Sequence, residues 1–475
     1  MLVHGYAPDR LNLNFMVPIP KSKRKSLDDS NNYRAISLNS ILGKLFDNIL
    51  LDFLQNDLNN SDYQFAYKKG VSTNMCTFLV SQTIEYYRTN NTPVYAVFLD
   101  ATKAFDRIEY EKLFSELLQY GICPVVIRLL INMYSQNKAC IKWNGVKSDN
   151  FPVLNGVKQG GVLSPQLFCF YMNPLIRRLH SSGYGCYVGN IPSCVFSYAD
   201  DVLLLAPTKT AIQNLLNICS DFSKEYMIKF NPDKCSVMVF NNVKDVAHPQ
   251  IVLNDKELKY VINEKYLGHW IKNSKDIIDP INGINDIGIR ANVLLRNFYY
   301  LDMDSKVKLF NSCCLSLYGC ELWDLASKEM TKAAKIWRIW GRRILGVSDR
   351  THNVLMPGLL KTPSIDEIIE TRILCFLSQG LQHANTFVKN MFINCVLHGN
   401  YMSRNFSYLL HKYRLSLSES LISKSRLKTH VKRYYKEVPH TCVVVKELLH
   451  CKDNMLDCGL DSSETDELLF FLCTS

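Results

Sequence analysis

No two cysteines stand in a CxxC spacing, although the chain carries 17 of them among its 475 residues. That absence excludes the common zinc and dithiol frameworks. The one stretch rich in Cys and His, with His440, Cys442, His450, Cys451 and Cys458, fits no standard zinc spacing. Also lacking are the basic start and apolar core of a secretory leader, and any run near the ~18 apolar residues of a membrane span. The expectation is an intracellular protein with reduced cysteines and no membrane segment. Cys169, Cys219, Cys375 and Cys395 lie in apolar runs, where a thiol acts as a small hydrophobe. Internal repeats and low-complexity tracts are absent as well.

Positive charge is in excess. Lys and Arg number 55 against 44 Asp and Glu, a net charge of +11 that suits a polyanionic partner, either nucleic acid or an acidic membrane surface. At 47% hydrophobic and 21% charged residues, the composition excludes a disordered chain. The length allows two or three domains.

Residues 21–34, KSKRKSLDDSNNYR, read as a loop or hairpin tip between apolar segments. From Ile41 to Leu54 apolar residues recur at helical spacing. VYAVFLD (94–100) is a β-rich run ending on an acid, and residues 106–121 then carry a helical period that stops at Gly121. A strand pair is expected around 138–156. The segment 163–180 opens with Ser164 as an N-cap and Pro165 at the first helical position. CVFSYADDVLLLA reads as two strands meeting at YADD, followed by a helix from Ala211 to Tyr226 and the strand SVMVF. Strands mixed with helices make the first ~270 residues an α+β domain. Beyond about residue 275 helical signals prevail. Two basic stretches there, 331–346 with Trp337 and Trp340 and 421–438 with Tyr434 and Tyr435, combine cations with aromatics as a grip on nucleic acid would.

The chemistry concentrates in three carboxylates. Asp100 ends one expected strand, and Asp200 and Asp201 sit together at an expected hairpin tip. Neighbouring strands would gather them into a site for two divalent cations ~3.5–4 Å apart. Mg²⁺ suits such hard oxygen ligands and completes its shell with substrate phosphates. On these residues alone, a metal site and an ordinary turn pair of aspartates stay equally open.

The flanks carry a resemblance. VFLDATKAFDRI, NGVKQGGVLSPQLFCFYMNPL, SYADDVLLLAP, NPDKCSVMVF and KYLGHWI follow the order and spacing of reverse-transcriptase palm motifs. Upstream, VPIPKSKRKSLDDSNNYRAISLNSILGKLFDNIL and SDYQFAYKKGVST resemble the fingers of non-LTR (LINE-type) retrotransposon polymerases. The resemblance implies an α+β right-hand polymerase of fingers, a palm with an antiparallel sheet and a helical thumb, with a mostly helical C-terminal extension. The corresponding ranges are 1–275 for fingers and palm, 276–350 for the thumb-like region and 351–475 for the extension.

The implied activity is that of an RNA-directed DNA polymerase, a nucleotidyltransferase working on RNA template, DNA primer and deoxynucleoside triphosphates in cytoplasm and nucleus. The implied cofactor is a pair of Mg²⁺ ions, with Mn²⁺ as an alternative. Asp100 and Asp200 are the implied main metal ligands and Asp201 a weaker one, with Lys234 as the proton donor to pyrophosphate. Phe105 takes the steric-gate position that rejects a 2′-OH. Gln159 and Gly160 lie against the incoming nucleotide and template base, and Tyr198 also belongs to the substrate side. Lys21 and Arg34 match triphosphate contacts, and Tyr266, Leu267 and Gly268 the primer grip. Where relatives carry Pro after the arginine this chain has Ala35, and where many carry another residue it has Gly161. Two alternatives remain: an inactive nucleic-acid-binding remnant of such a polymerase, and a group II intron-type reverse transcriptase.

Overall fold

A computed structural model of the protein describes residues 1, 4–8, 11–22, 26–54, 61–241, 249–274, 277–397, 400–416 and 424–437. The Cys/His stretch from His440 to Cys458 and the acidic last 25 residues lie outside the described residues. The chain divides into two compact units, Met1–Gly268 and His269–Ser475.

The first unit holds two five-stranded sheets. In the first of them, β1 (Leu13–Pro20) pairs antiparallel with β2 (Tyr33–Leu38), so residues 21–32 are the connection of a hairpin as the polar run suggested. On its other side β1 pairs in parallel with β4 (Lys138–Trp143), which pairs antiparallel with the two-residue strand Phe151–Pro152. Helix α1 (Ile41–Leu54) follows β2, and α2 (Thr73–Thr89) begins at Ser72, whose hydroxyl accepts from the Met75 N–H.

The second sheet carries the candidate chemistry. Its centre is β3 (Val94–Asp100), flanked by β6 (Asp201–Ala206) and β7 (Ser236–Phe240), with β5 (Val195–Tyr198) beyond β6 and β8 (Lys259–Tyr260) beyond β7. All its pairings are antiparallel except β7 with β8. Both faces are buried, which explains the unbroken apolar runs. Val97, Leu99, Val202, Leu204 and Val237 join the core formed with α5 (Ser164–Ser181) and α6 (Lys209–Tyr226). Phe98, Phe196 and Leu203 turn to the opposite face, where the Phe196 ring stacks on Phe65 with centroids 6.2 Å apart. Truncating one of these buried leucines to Ala would cost about 2–5 kcal/mol.

Local expectations shift in two places. The helix expected over 106–121 is a short 3₁₀ turn, Ala104–Arg107, followed by α3 (Tyr110–Gln119). Between them Ile108 is extended, because its carbonyl accepts the Gly156 N–H at 2.8 Å. Helix α5 starts at Ser164 with Leu163 in the cap position, so Ser164 is its first residue rather than its cap. Helix α4 (Pro124–Ser135) precedes β4.

The second unit is mostly helical. It contains α7 (Ile281–Asn297), α8 (Met303–Leu309), α9 (Lys328–Leu345), α10 (Ile365–Leu381), α11 (Thr386–Leu397), α12 (Tyr401–Lys412) and α13 (Lys424–Glu437). Helix α9 stops at Gly346, whose φ of +64° continues no helix. Arg372 of α10 ties down the carbonyls of Leu315, Ser316 and Leu317. Buried Glu370 receives Lys412 Nζ at 2.8 Å and the Tyr413 hydroxyl. A lone buried carboxylate would be costly, so this pairing satisfies it.

Candidate active site

Strand register places the acids. Asp201, at the start of β6, lies opposite Asp100, at the end of β3, and also opposite Tyr198 on β5. Ala199 and Asp200 are therefore the two-residue turn of the β5–β6 hairpin. Ala199 takes a φ of +56°, a left-handed value that tight hairpins demand and that L-residues adopt at a cost.

The three carboxyls share an electrostatic neighbourhood. Burial pushes the Asp200 carboxyl above its usual range; a backbone N–H and the Arg34 guanidinium pull it down, and the Asp100 charge pushes it up again. Burial, then the charges of Asp200 and Asp100, push Asp201 up to about 6. Asp201 keeps accessible surface even so, as a side chain in an open recess does, where surrounding protein weakens its hydration without sealing it off. Like charges held this close favour an added cation. Among the described residues no group of three or more His, Cys, Asp or Glu side chains is arranged to hold a metal ion. Hard oxygen donors that leave room for phosphate and water fit a divalent ion of the Mg²⁺ kind.

Other expected residues gather around them. Lys234 Nζ sits 3.3 Å from Asp100 Oδ2, both partly exposed. The half-buried Phe105 ring stacks on Phe168 of α5 with centroids 4.5 Å apart and planes 9° from parallel. Gln159 Nε2 donates to Asp106 Oδ1 at 2.8 Å, which ties it to the residue after Phe105. The Gln159 carbonyl accepts the Ser37 N–H at 2.7 Å and so joins this loop to β2. At Gly160, with φ +100°, a Cβ would stand 3.2 Å from the Ser37 carbonyl oxygen. At Gly161 it would stand 2.6 Å from Ser164 Oγ, so the departure at that position matches local crowding. Asp106 and Gln159 border a cleft of about 420 Å³ whose other walls include Asn14, Met16 and Ser37.

Arg34 is exposed on β2, within electrostatic reach of Asp200. Lys21 Nζ instead donates to the Asn31 carbonyl in its own hairpin, where Lys103 Nζ also meets the Asn31 side chain. Tyr198 is half-buried at the hairpin. The Tyr266 ring is interior: it packs edge-on against Phe98 and donates its hydroxyl to the Phe196 carbonyl at 3.3 Å. Of the expected primer-grip triplet, only Leu267 and Gly268, both at positive φ, keep accessible surface.

Two residues near the site escaped the sequence reading. Tyr67, exposed at a φ of +56°, feels the Asp200 charge, and its carbonyl accepts from Gln166 Nε2 at 3.0 Å. Lys158 lies near buried Asp47 of α1: burial pushes that carboxyl up, and the lysine charge pulls it back. An aromatic within a polar run, as in SDYQFAYKKGVST, was the available signal for Tyr67. Lys158 gave none.

The profile of the family described as "Reverse transcriptase (RNA-dependent DNA polymerase)" matches residues 19–271, a span that includes Arg34, Asp100, Phe105, Gln159, Asp200, Asp201 and Lys234. The chain belongs to the reverse transcriptase family, and an α+β polymerase fold with a dependence on divalent metal goes with that membership. Over 233 residues it is 30% identical to the retrovirus-related Pol polyprotein of the type-2 retrotransposable element R2DM of Drosophila melanogaster, covering 49% of this chain and 22% of that one. Over 406 residues it is 22% identical to the RNA-directed DNA polymerase from mobile element jockey of the same fly, covering 82% and 43%. These relatives bear out the resemblance to non-LTR reverse transcriptases, and the chain spans less than half of their length. Among solved structures, apo telomerase from Candida tropicalis aligns at a TM-score of 0.46 and 12% identity, covering 89% of this chain and 69% of that one. Among the described residues no helix is long and apolar enough to cross a membrane.

Proposed function

We propose that this chain is the polymerase portion of a non-LTR retrotransposon protein, extending a DNA primer by copying an RNA template. The observation that carries the reading is the register that sets Asp201 opposite Asp100 with Asp200 at the adjoining turn, inside a reverse-transcriptase domain. Asp100 and Asp200 would hold two Mg²⁺ ions, or Mn²⁺ in their place, with Asp201 as the weaker contributor. When bound, such ions activate the attacking hydroxyl and steady the leaving oxygen.

The remaining work falls to the chain's own side chains. Arg34 offers a guanidinium to the triphosphate, and Lys21 becomes available to it once it leaves the Asn31 carbonyl. Phe105, backed by Phe168, stands under the sugar and excludes a 2′-OH. Gln159 and Gly160 bring side-chain amide and bare backbone to the nucleotide and template base. Tyr198 flanks the turn on the substrate side. Lys234 holds a proton at Nζ for the departing pyrophosphate. Leu267 and Gly268 turn backbone toward the primer end, with Tyr266 as their buried anchor. Such a protein meets its RNA in the cytoplasm and its target DNA in the nucleus. Purified chain, a DNA primer annealed to RNA, deoxynucleotides and Mg²⁺ should yield extended primer. No extension across a range of templates would overturn the reading.

A further inference from the structure

Gln64 belongs to no assigned site, yet it is fully buried and its side chain reaches the turn that presents Asp200. Its Oε1 accepts the Ala199 N–H at 3.0 Å and the Ala66 N–H at 3.1 Å. Its Nε2 donates to Ser197 Oγ at 3.0 Å, and that hydroxyl donates onward to the Ala199 carbonyl at 3.4 Å. Both backbone polar groups of Ala199 are thus held by one two-residue network. The backbone reinforces it: Phe65 N–H donates to the Ser197 carbonyl at 2.8 Å, and Ser197 N–H to the Tyr63 carbonyl at 3.0 Å.

A buried glutamine needs partners wherever it sits, so satisfied bonds alone assign no role. What distinguishes Gln64 is where the bonds converge. Ala199 is the left-handed residue directly before Asp200, and a non-glycine residue in that region persists only when its surroundings hold it there. Relaxation at Ala199 would rotate the next peptide and carry the Asp200 carboxyl with it. The same Oε1 fixes Ala66, the residue before Tyr67, so one oxygen joins both segments that border Asp200.

We propose that Gln64 is a positioning residue that locks the Ala199 turn so that Asp200 is aimed for metal binding. The inference rests on the proposed function both for metal binding at Asp200 and for its kinetic half. It is tested on the whole chain with Gln64→Met, similar in volume but with neither acceptor nor donor. Gln64→Glu keeps the acceptor and, protonated in so buried a setting, a donor toward Ser197. Mn²⁺ affinity is read by calorimetry, with kcat and deoxynucleotide KM from primer extension.

The Met variant should lose about tenfold or more in Mn²⁺ affinity and in kcat, as removal of a metal ligand's support does, with KM little changed. The Glu variant should recover most of both. Wild-type affinity in a folded Met variant, or equal losses in Met and Glu, would overturn the proposal. If Gln64→Met does not fold, Ser197→Ala takes its place, since it removes the link between Nε2 and the Ala199 carbonyl. Weaker Mn²⁺ binding by that variant supports the proposal and unchanged binding overturns it. A wild-type chain that extends no primer would defeat the proposed function, while the Mn²⁺ comparison would still decide the role of Gln64.

Discussion

Asp201 stands opposite Asp100 across the β3–β6 ladder, and its carboxyl is pushed up to about 6 by burial and by the charges of Asp200 and Asp100. A cation bound at the proposed site would offset the mutual repulsion of these carboxylates.

Phe105→Val should raise the ratio of ribonucleotide to deoxynucleotide incorporation. The Phe105 ring is held flat against Phe168, so it cannot swing aside for a 2′-OH without breaking the stack. The ratio of kcat/KM for the two nucleotides measures the effect. An unchanged ratio with retained activity makes Phe105 a packing residue only.

Gly156→Ala should destabilise the first unit by about 1–3 kcal/mol. The glycine has φ +81°, and a Cβ would come within 2.8 Å of the Asp106 Cα and 2.9 Å of the Phe105 carbonyl oxygen. Displacing those atoms also moves the Phe105 ring, so nucleotide discrimination should loosen along with the fall in thermal stability. Denaturant unfolding and the incorporation ratio, measured on the same variant, check the two effects.

The basic face of the second unit divides into engaged and exposed cations. Arg342 donates to the Thr351 carbonyl at 2.7 Å and to the Asn353 side chain at 2.6 Å, and the Arg338 charge bears on half-buried Asp366. Trp337 is buried, whereas Trp340 is partly exposed with the Arg343 guanidinium 4.9 Å from its ring centroid. Lys332, Lys335, Arg426 and Lys428 are exposed. Changing these four to Gln should flatten the salt dependence of RNA affinity, by about one unit of slope for each phosphate no longer neutralised. Gln at Arg342 should instead lower stability.

His269 gives the second unit an acid-sensitive point. Burial pushes its imidazole down from 6.5 to about 4, and its ring stacks on Tyr318. The unfolded chain takes up this proton first. The stability tied to the neutral ring is therefore complete above pH 6.5 and is lost as pH falls toward 4, by about 3 kcal/mol. His269→Phe keeps an aromatic against Tyr318 and should flatten the pH dependence of unfolding across that window.

Much of this was legible in the chain. Alternation and apolar runs marked β3, the YADD hairpin and α6, because both faces of that sheet are buried and its helices are amphipathic. The acids at the strand ends then followed from position alone. Long-range bonds were not legible. Ile108 interrupts an expected helix for a bond from Gly156, Tyr266 turns inward to the Phe196 carbonyl, and Gln64 reaches Ala199 across 135 positions. No local pattern records such partners.

Primer extension on an RNA template by Asp200→Asn and Asp100→Ala, beside the wild-type chain and with RNA affinity measured on each, separates the role of these acids in catalysis from any role in template binding. Both variants should fold, bind RNA about as tightly as wild type and make no DNA, because metal-held phosphates depend on these acids and template affinity does not. Robust extension by either variant would contradict the metal assignment and leave the aspartates as turn residues.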